Sequence, residues 1–160
     1  MHTRNLKPSD YTAIITVLND WWGGRSMSAM LPKLFFVHFK LTSFITEENG
    51  IIKGFLVGFV SQTRPHEAYI HFSGVNPEFR KCGIARELYE RFFESVQAKG
   101  CHKIKCVTSI VNKTSIAFHA AMGFQIEPGN AEIDGVSYHP DYDGPGEHRV
   151  LFVKDLEDDV

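Results

Sequence analysis

The chain has 160 residues and a mass of 18.1 kDa, is 43% hydrophobic and 22% charged, and carries a formal net charge of −2. That composition excludes a disordered chain, and it lacks the basic surplus of a nucleic-acid binder. The charge is divided, with 15 Lys/Arg against 9 Asp/Glu in residues 1–126 and 2 against 10 in residues 127–160.

A first strand is predicted over Thr3–Leu6. From Pro8 to Trp22 the apolar residues Tyr11, Ile14, Ile15, Leu18 and Trp21/Trp22 recur at helical spacing, and Gly23-Gly24 ends that helix. A second helix is predicted over Ser28–Phe39, with Pro32 confined to its first turn. Thr42–Glu48 and Ile51–Gln62 read as strands joined by Asn49-Gly50, the preferred pair for a two-residue hairpin turn. Gly54 and Gly58 weaken the second strand and mark bulges or close backbone contacts. Ala68–Val75 follows as a third consecutive strand.

The period then changes. Ile84, Leu88, Phe92 and Val96, flanked by Tyr89 and Phe93, form the apolar stripe of a helix over Cys82–Lys99, capped by Gly100. Lys103–Ser109 is a strand, Lys113–Met122 a short helix, and Phe124–Ile126 the start of another strand. Residues 127–147 read mainly as loop, and His148–Val153 is a last strand before an acidic tail. The length is that of one domain, residues 1–160, with a mixed, mostly antiparallel α/β sheet flanked by helices. Cys82, Cys101 and Cys106 form no CxxC pair, and the eight histidines no metal-ligand spacing. No run approaches the ~18 apolar residues of a membrane span, and the N-terminus has no signal-peptide core. A soluble, cytoplasmic protein with reduced thiols, no metal and no membrane partner is expected.

The informative segment is Val75-Asn76-Pro77-Glu78-Phe79-Arg80-Lys81-Cys82-Gly83-Ile84-Ala85-Arg86. A strand ends at Val75 and a helix starts within Arg80–Gly83. Unpaired N–H groups at a helix N-terminus, with the helix dipole behind them, attract anions. Gly83 and Ala85 admit a bulky anion close to the backbone, and Arg80, Lys81 and Arg86 add charge-assisted contacts to phosphate. Neither GxxxxGK[ST] nor a GxGxxG after a strand is present.

Arg80-Lys81-Cys82-Gly83-Ile84-Ala85 resembles the R/Q-x-x-G-x-G/A signature of the GNAT superfamily of N-acetyltransferases. Asn112-Lys113-Thr114-Ser115-Ile116-Ala117-Phe118-His119-Ala120-Ala121-Met122-Gly123-Phe124 is similar to that family's later N-x-x-(S/A)-x-x-(F/L)-Y-x-x-x-G-F segment. The order of elements is also the family's. The resemblance implies a splayed strand ending near Val75, with acetyl-CoA inserted in the gap. It implies that Ser73, Gly74 and Val75 bind the pantetheine and thioester, and that the amides of Lys81, Cys82, Gly83, Ile84, Ala85 and Arg86 hold the pyrophosphate. Asn112 would contact the pantetheine, with Ser115 and Phe118 lining its path. A homodimer is a common outcome in the family.

Acetyl transfer to an amine needs a neutral amine, a donor at the carbonyl oxygen and a proton for the leaving thiolate. A lysine-type amine is only about one part in a thousand neutral near pH 7.4. The resemblance places His119 where many members carry a tyrosine that protonates the sulfur, and an imidazole can do that work. His71, Glu67 and Tyr69, on one face of their strand by period-2 spacing, are the candidate bases, in that order. Val107 supplies none. Tyr138, Asp141, Tyr142 and Asp143 in the acidic segment, with Trp21, Trp22 and Arg25 at the end of the first helix, are candidate acceptor-site residues. An acidic mouth lined by rings would concentrate a cationic amine. Three readings follow: transfer to a small-molecule amine in a ternary complex, transfer to a protein N-terminus or lysine, or a CoA-binding module without catalysis.

Overall fold

A computed structural model of the protein describes residues 1–156; the acidic tail at Glu157, Asp158 and Asp159 lies outside the described residues. The elements are β1 (His2–Asn5), α1 (Asp10–Trp21), α2 (Leu34–His38), β2 (Phe44–Glu48), β3 (Ile51–Val60), β4 (Glu67–Val75), α3 (Ile84–Gln97), β5 (Lys103–Ser109), α4 (Lys113–Ala121), β6 (Gln125–Ile126), β7 (Ala131–Ile133), β8 (Val136–Tyr138) and β9 (Arg149–Asp155). Seven strands form one sheet in the order β1-β2-β3-β4-β5-β9-β6. Only β4 and β5 in it run parallel. The mixed, mostly antiparallel sheet expected from the sequence is therefore present.

The β2–β3 hairpin turns at Asn49 (φ 52°) and Gly50 (φ 76°), the two left-handed residues that such a turn requires. Helices cover both faces. Ile14 and Leu18 of α1 and Phe36 of α2 pack on Ile45, Phe55, Val57 and Phe72. On the other face Ile84, Leu88, Tyr89, Phe92 and Val96, the stripe read from the sequence, pack on Phe44, Leu56, Ala68, Ile70 and Ile104. Each large apolar side chain buried there contributes about 1.5–3 kcal/mol. The helix α3 lies close on β3 because β3 presents glycines to it. A Cβ at Gly54 would stand 2.9 Å from Ile84 Cγ2, and one at Gly58 would run into the Phe92 ring.

Three expectations need correction. The helix expected over Ser28–Phe39 is a 3₁₀ turn at Ser28–Met30 and a short α2, because Leu31, ahead of Pro32, is held out of the helical region (φ −132°, ψ 67°). The α3 helix starts at Ile84 rather than Cys82, since Lys81 and Gly83 both take positive φ. Residues 127–147 contain a second hairpin, β7–β8, turning on Asp134 (φ 50°) and Gly135 (φ 80°). No helix among the described residues is long and apolar enough to cross a membrane.

The contact between α3 and β3 is directly testable. Gly58→Val should lower unfolding free energy by about 1–3 kcal/mol in chemical denaturation, since the added methyls must displace Phe92.

Candidate active site

The site begins with a register slip. Val57 of β3 pairs with Phe72 and Gly58 with Ile70, so His71 is an extra residue in β4, a β-bulge. The faces of β4 exchange across it. Ala68 and Ile70 pack toward α3, Phe72 packs toward α1, and Ser73 faces α3 again. On its other edge β4 pairs with β5 over Glu67–Tyr69 and Lys103–Lys105 only. Strand β5 continues along β9 as far as Ser109. From Ile70 to Val75, β4 therefore presents an edge to no neighbouring strand, and such backbone groups demand water or a ligand.

At the end of that edge lies the turn into α3. Asn76 Oδ1 accepts from the Glu78 amide at 3.1 Å and shapes its start. Lys81 (φ 64°) and Gly83 (φ 79°) curl the backbone. Glu87 N–H to Gly83 C=O, at 3.0 Å, opens the helix. The amides of Ile84, Ala85 and Arg86 thus precede the helical ladder and, with the dipole behind them, form an anion cradle. Lys81 and Cys82 are exposed on it. Arg80 turns away, donating to the Trp21 carbonyl at 3.2 Å, and Arg86 stands 3.9 Å from Glu90.

Helix α4 brings His119 against α3. Asn112 Oδ1 caps α4 by accepting from the Ser115 amide at 3.1 Å. His119 is buried, stacked on Phe152 at 4.6 Å. Its Nδ1 lies 2.7 Å from the Ser115 carbonyl, which can only accept, and 3.2 Å from Ser115 Oγ; the shorter contact assigns the proton to Nδ1. Its Nε2 lies 2.9 Å from the Tyr89 hydroxyl, and that hydroxyl lies 3.2 Å from Ser73 Oγ. Burial holds the His119 pKa below its ordinary value near 6.5, against the opposing hydrogen bond to Ser115. Burial also pushes the Tyr89 hydroxyl well up. Phe118 stands edge-on to Tyr89 at 5.0 Å.

A cavity of about 490 Å³ lies over the paired stretch of β4 and β5 and reaches Val107 just beyond it, floored by Tyr69 of β4 and Lys105 of β5. Phe59 and Tyr142 supply rings, and Glu67, Glu127 and Arg64 supply charge. Lys105 bridges the two carboxylates, 4.0 Å from Glu67 and 3.3 Å from Glu127.

The acetyltransferase (GNAT) family model matches residues 11–124. The chain belongs to the GNAT acetyltransferase family. Solved structures agree in fold. Ard1 from Thermoplasma volcanium matches with TM-score 0.78 at 18% identity over 98% of each chain. Naa20 from Chaetomium thermophilum, in complex with a bisubstrate analogue, gives 0.76 at 19% identity over 98% of this chain and 87% of its own. The diaminobutyrate acetyltransferase EctA from Paenibacillus lautus, with its substrate and coenzyme A, gives 0.72 at 18% identity over 99% and 97%.

In this GNAT protein the candidate bases separate. Glu67 and Tyr69 reach the cavity, whereas His71, the bulged residue, stacks on Phe35 at 4.1 Å with Nε2 2.6 Å from the Met30 carbonyl. Period-2 spacing places all three on one face but does not foresee the bulge. Burial also holds the His71 pKa below its ordinary value. Of the acceptor-site candidates, Tyr142 lines the cavity. Asp143 pairs with Arg149 at 2.8 Å, Asp141 lies 3.7 Å from His148, and Tyr138 packs on the α3-side core. Trp21 is buried, Trp22 covers Gly74 on the α1 side, and Arg25 is exposed in the following turn. Among the described residues no cluster of three metal-ligating side chains exists. Tyr89, Phe59 and Lys105 escape the sequence reading. Tyr89 looks there like one more ring in an apolar stripe, and only the need of a buried hydroxyl for a partner hints otherwise.

Buried His119 and half-buried His71 set a pH dependence. Both His71 and His119 hold fewer protons folded than unfolded at pH values just below 6.5, so stability there rises with pH. Their contribution should be complete above about pH 6.5 and fall as pH drops below it. Denaturation midpoints should decrease from about pH 7.5 to about pH 5.5, and His119→Phe should flatten that decrease.

Proposed function

We propose that the protein is an N-acetyltransferase that moves the acetyl group of acetyl-CoA to a primary amine of a small molecule, by direct attack in a ternary complex. The observation that carries this reading is the unpaired β4 edge from Ile70 to Val75, which ends at the Lys81–Arg86 cradle. A pantetheine arm is a chain of amides with the spacing and polarity to bond a free strand edge. A pyrophosphate suits the amides of Ile84, Ala85 and Arg86, which have no helical acceptor. The thioester then lies beside Ser73–Val75, where an edge N–H donates to the carbonyl oxygen as charge develops. Coenzyme A in EctA and a bisubstrate analogue in Naa20 support the same use of the fold.

The acceptor would enter from the cavity. Its ammonium meets Glu67 and Glu127 among the rings of Phe59, Tyr69 and Tyr142. Glu67, or water beside it, takes the first proton and leaves a neutral amine for attack. A volume of about 490 Å³, bordered by Tyr142, suits a small acceptor better than a protein segment.

Two measurements test this. Acetyl-CoA should raise the melting temperature, and thiol release should appear with at least one amine in a panel of polyamines, aminoglycosides, amino acids and short peptides. Stabilisation without turnover on any of them would point to a CoA-binding module, and turnover on peptides alone to a protein acetyltransferase. Gly83→Val, which forces a β-branched residue into positive φ, should weaken acetyl-CoA binding by about tenfold or more, about 1.4 kcal/mol. Unchanged affinity in that variant would remove the cradle from the binding site.

A further inference from the structure

Four polar groups on three elements form one unbroken chain through the protein. Ser73 Oγ lies 3.2 Å from Tyr89 Oη, Tyr89 Oη 2.9 Å from His119 Nε2, and His119 Nδ1 2.7 Å from the Ser115 carbonyl. Its direction follows from the shorter of two contacts at the last link, since Ser115 Oγ also lies 3.2 Å from Nδ1. A carbonyl has no proton to give, so the imidazole donates from Nδ1 and a neutral ring can only accept at Nε2. Tyr89 has one proton, and it goes to Nε2. The oxygen of Tyr89 then accepts from Ser73. The hydroxyls of Ser73 and Tyr89 therefore both point inward, toward the unprotonated Nε2 of His119.

Ser73 is the outer end. It is half-buried on the splayed part of β4, while Tyr89 and His119 are shut from solvent at 2% and 5% exposure. An imidazole is shorter than a phenol, so His119 alone does not extend as far as the tyrosine that the family often carries at its position. Tyr89 extends it by one hydroxyl and Ser73 by a second.

We propose that Ser73, Tyr89 and His119 form a proton relay that takes up the proton released by the attacking amine and returns it to the departing thiolate. The proposal rests on the acetyl-transfer reading above. When the neutral amine attacks, its nitrogen forms the C–N bond and becomes cationic while the C=O π pair moves to oxygen, to re-form C=O when the C–S bond breaks. One N–H proton passes to Ser73 Oγ as the proton of Ser73 passes to Tyr89 and that of Tyr89 to His119 Nε2. The C–S bond then breaks with its electron pair on sulfur. The three transfers reverse, and the sulfur receives the proton through Ser73. No proton is gained or lost by the relay over the cycle. Nitrogen and sulfur are bonded to the same carbon in the intermediate, so one outer group can serve both in turn. A buried imidazolium is unfavourable, which favours return of the proton once a thiolate forms. Ser73 is the member that meets the reacting atoms; Tyr89 and His119 act through it.

The test uses steady-state kinetics of the full chain with acetyl-CoA and the best amine of the panel. Tyr89→Phe and Ser73→Ala should lower kcat by about 10²-fold or more, within the range of acid–base catalysis, with the KM for acetyl-CoA within about twofold of wild type. Ser73→Thr, which keeps the hydroxyl, should recover most of the loss. In ¹⁵N spectra of the wild-type protein, the His119 ring should be the Nδ1–H tautomer, and Tyr89→Phe should shift Nε2. Should Tyr89→Phe fail to fold, the Ser73 pair and the wild-type tautomer decide. An Nε2–H tautomer overturns the relay. Unchanged kcat in Ser73→Ala, or a raised KM for acetyl-CoA with kcat intact, also overturns it and leaves the chain a structural tie. Wild-type protein that neither binds acetyl-CoA nor turns over any amine overturns the acetyl-transfer reading, and the relay with it.

Discussion

Strand β4 has a complete partner on one side and an incomplete one on the other, and the rest of the site is arranged around that difference. Along β3 it pairs from Ala68 to Val75. Along β5 it pairs for three residues and then diverges. Backbone groups left in that state are unfavourable unless water or a ligand meets them, so the fold presents a linear row of polar groups along this edge. The bulge at His71 coincides with the divergence and reverses the facing of the strand beyond it. That reversal sends Ser73 toward α3 and Phe72 toward α1. Without it, Ser73 would face the α1 side and could not meet Tyr89.

The surrounding elements fix the position of that edge. Packing of α3 against Gly54 and Gly58 brings its N-terminus to the end of the β4 edge. Trp22 covers Gly74 from the opposite face. Arg80, one of the cations attributed to the cradle, ties the turn to the C-terminus of α1 through the Trp21 carbonyl. Its charge thus serves the shape of the turn, and Lys81 is an exposed cation beside it. A similar division holds on the acidic side. Glu147 and Asp143 are engaged by Arg149, whereas Glu67 and Glu127 flank Lys105 in the cavity. Among the described residues of the acidic segment, Asp143, Glu147 and Asp155 are ion-paired, and Glu127 is the acid that lines the cavity.

Much of the fold was legible because it depends on local chemistry. Asn49-Gly50 makes a hairpin wherever strands flank it, and the stripe from Ile84 to Val96 buries one helical face whatever its partner. The turn before α3 was legible for the same reason, since glycine and the start of a helix define it. Asp134-Gly135 carries equal turn chemistry, but strands of three residues in a polar segment leave too little alternation to read. The bulge at His71 is set by the register of β3, which lies in no single segment. Likewise the pairing of Tyr89 with His119 joins residues 30 apart on two helices. Periodicity could show only that Tyr89 faces inward, not that its hydroxyl meets a nitrogen there.

The dependence of function on the unpaired edge is open to one direct measurement. Amide hydrogen exchange should be followed residue by residue with and without saturating acetyl-CoA. Added protection at edge amides within Ile70–Val75, together with Ile84, Ala85 and Arg86, is the expected result. Binding of acetyl-CoA that protects other segments and leaves these amides unchanged would contradict it.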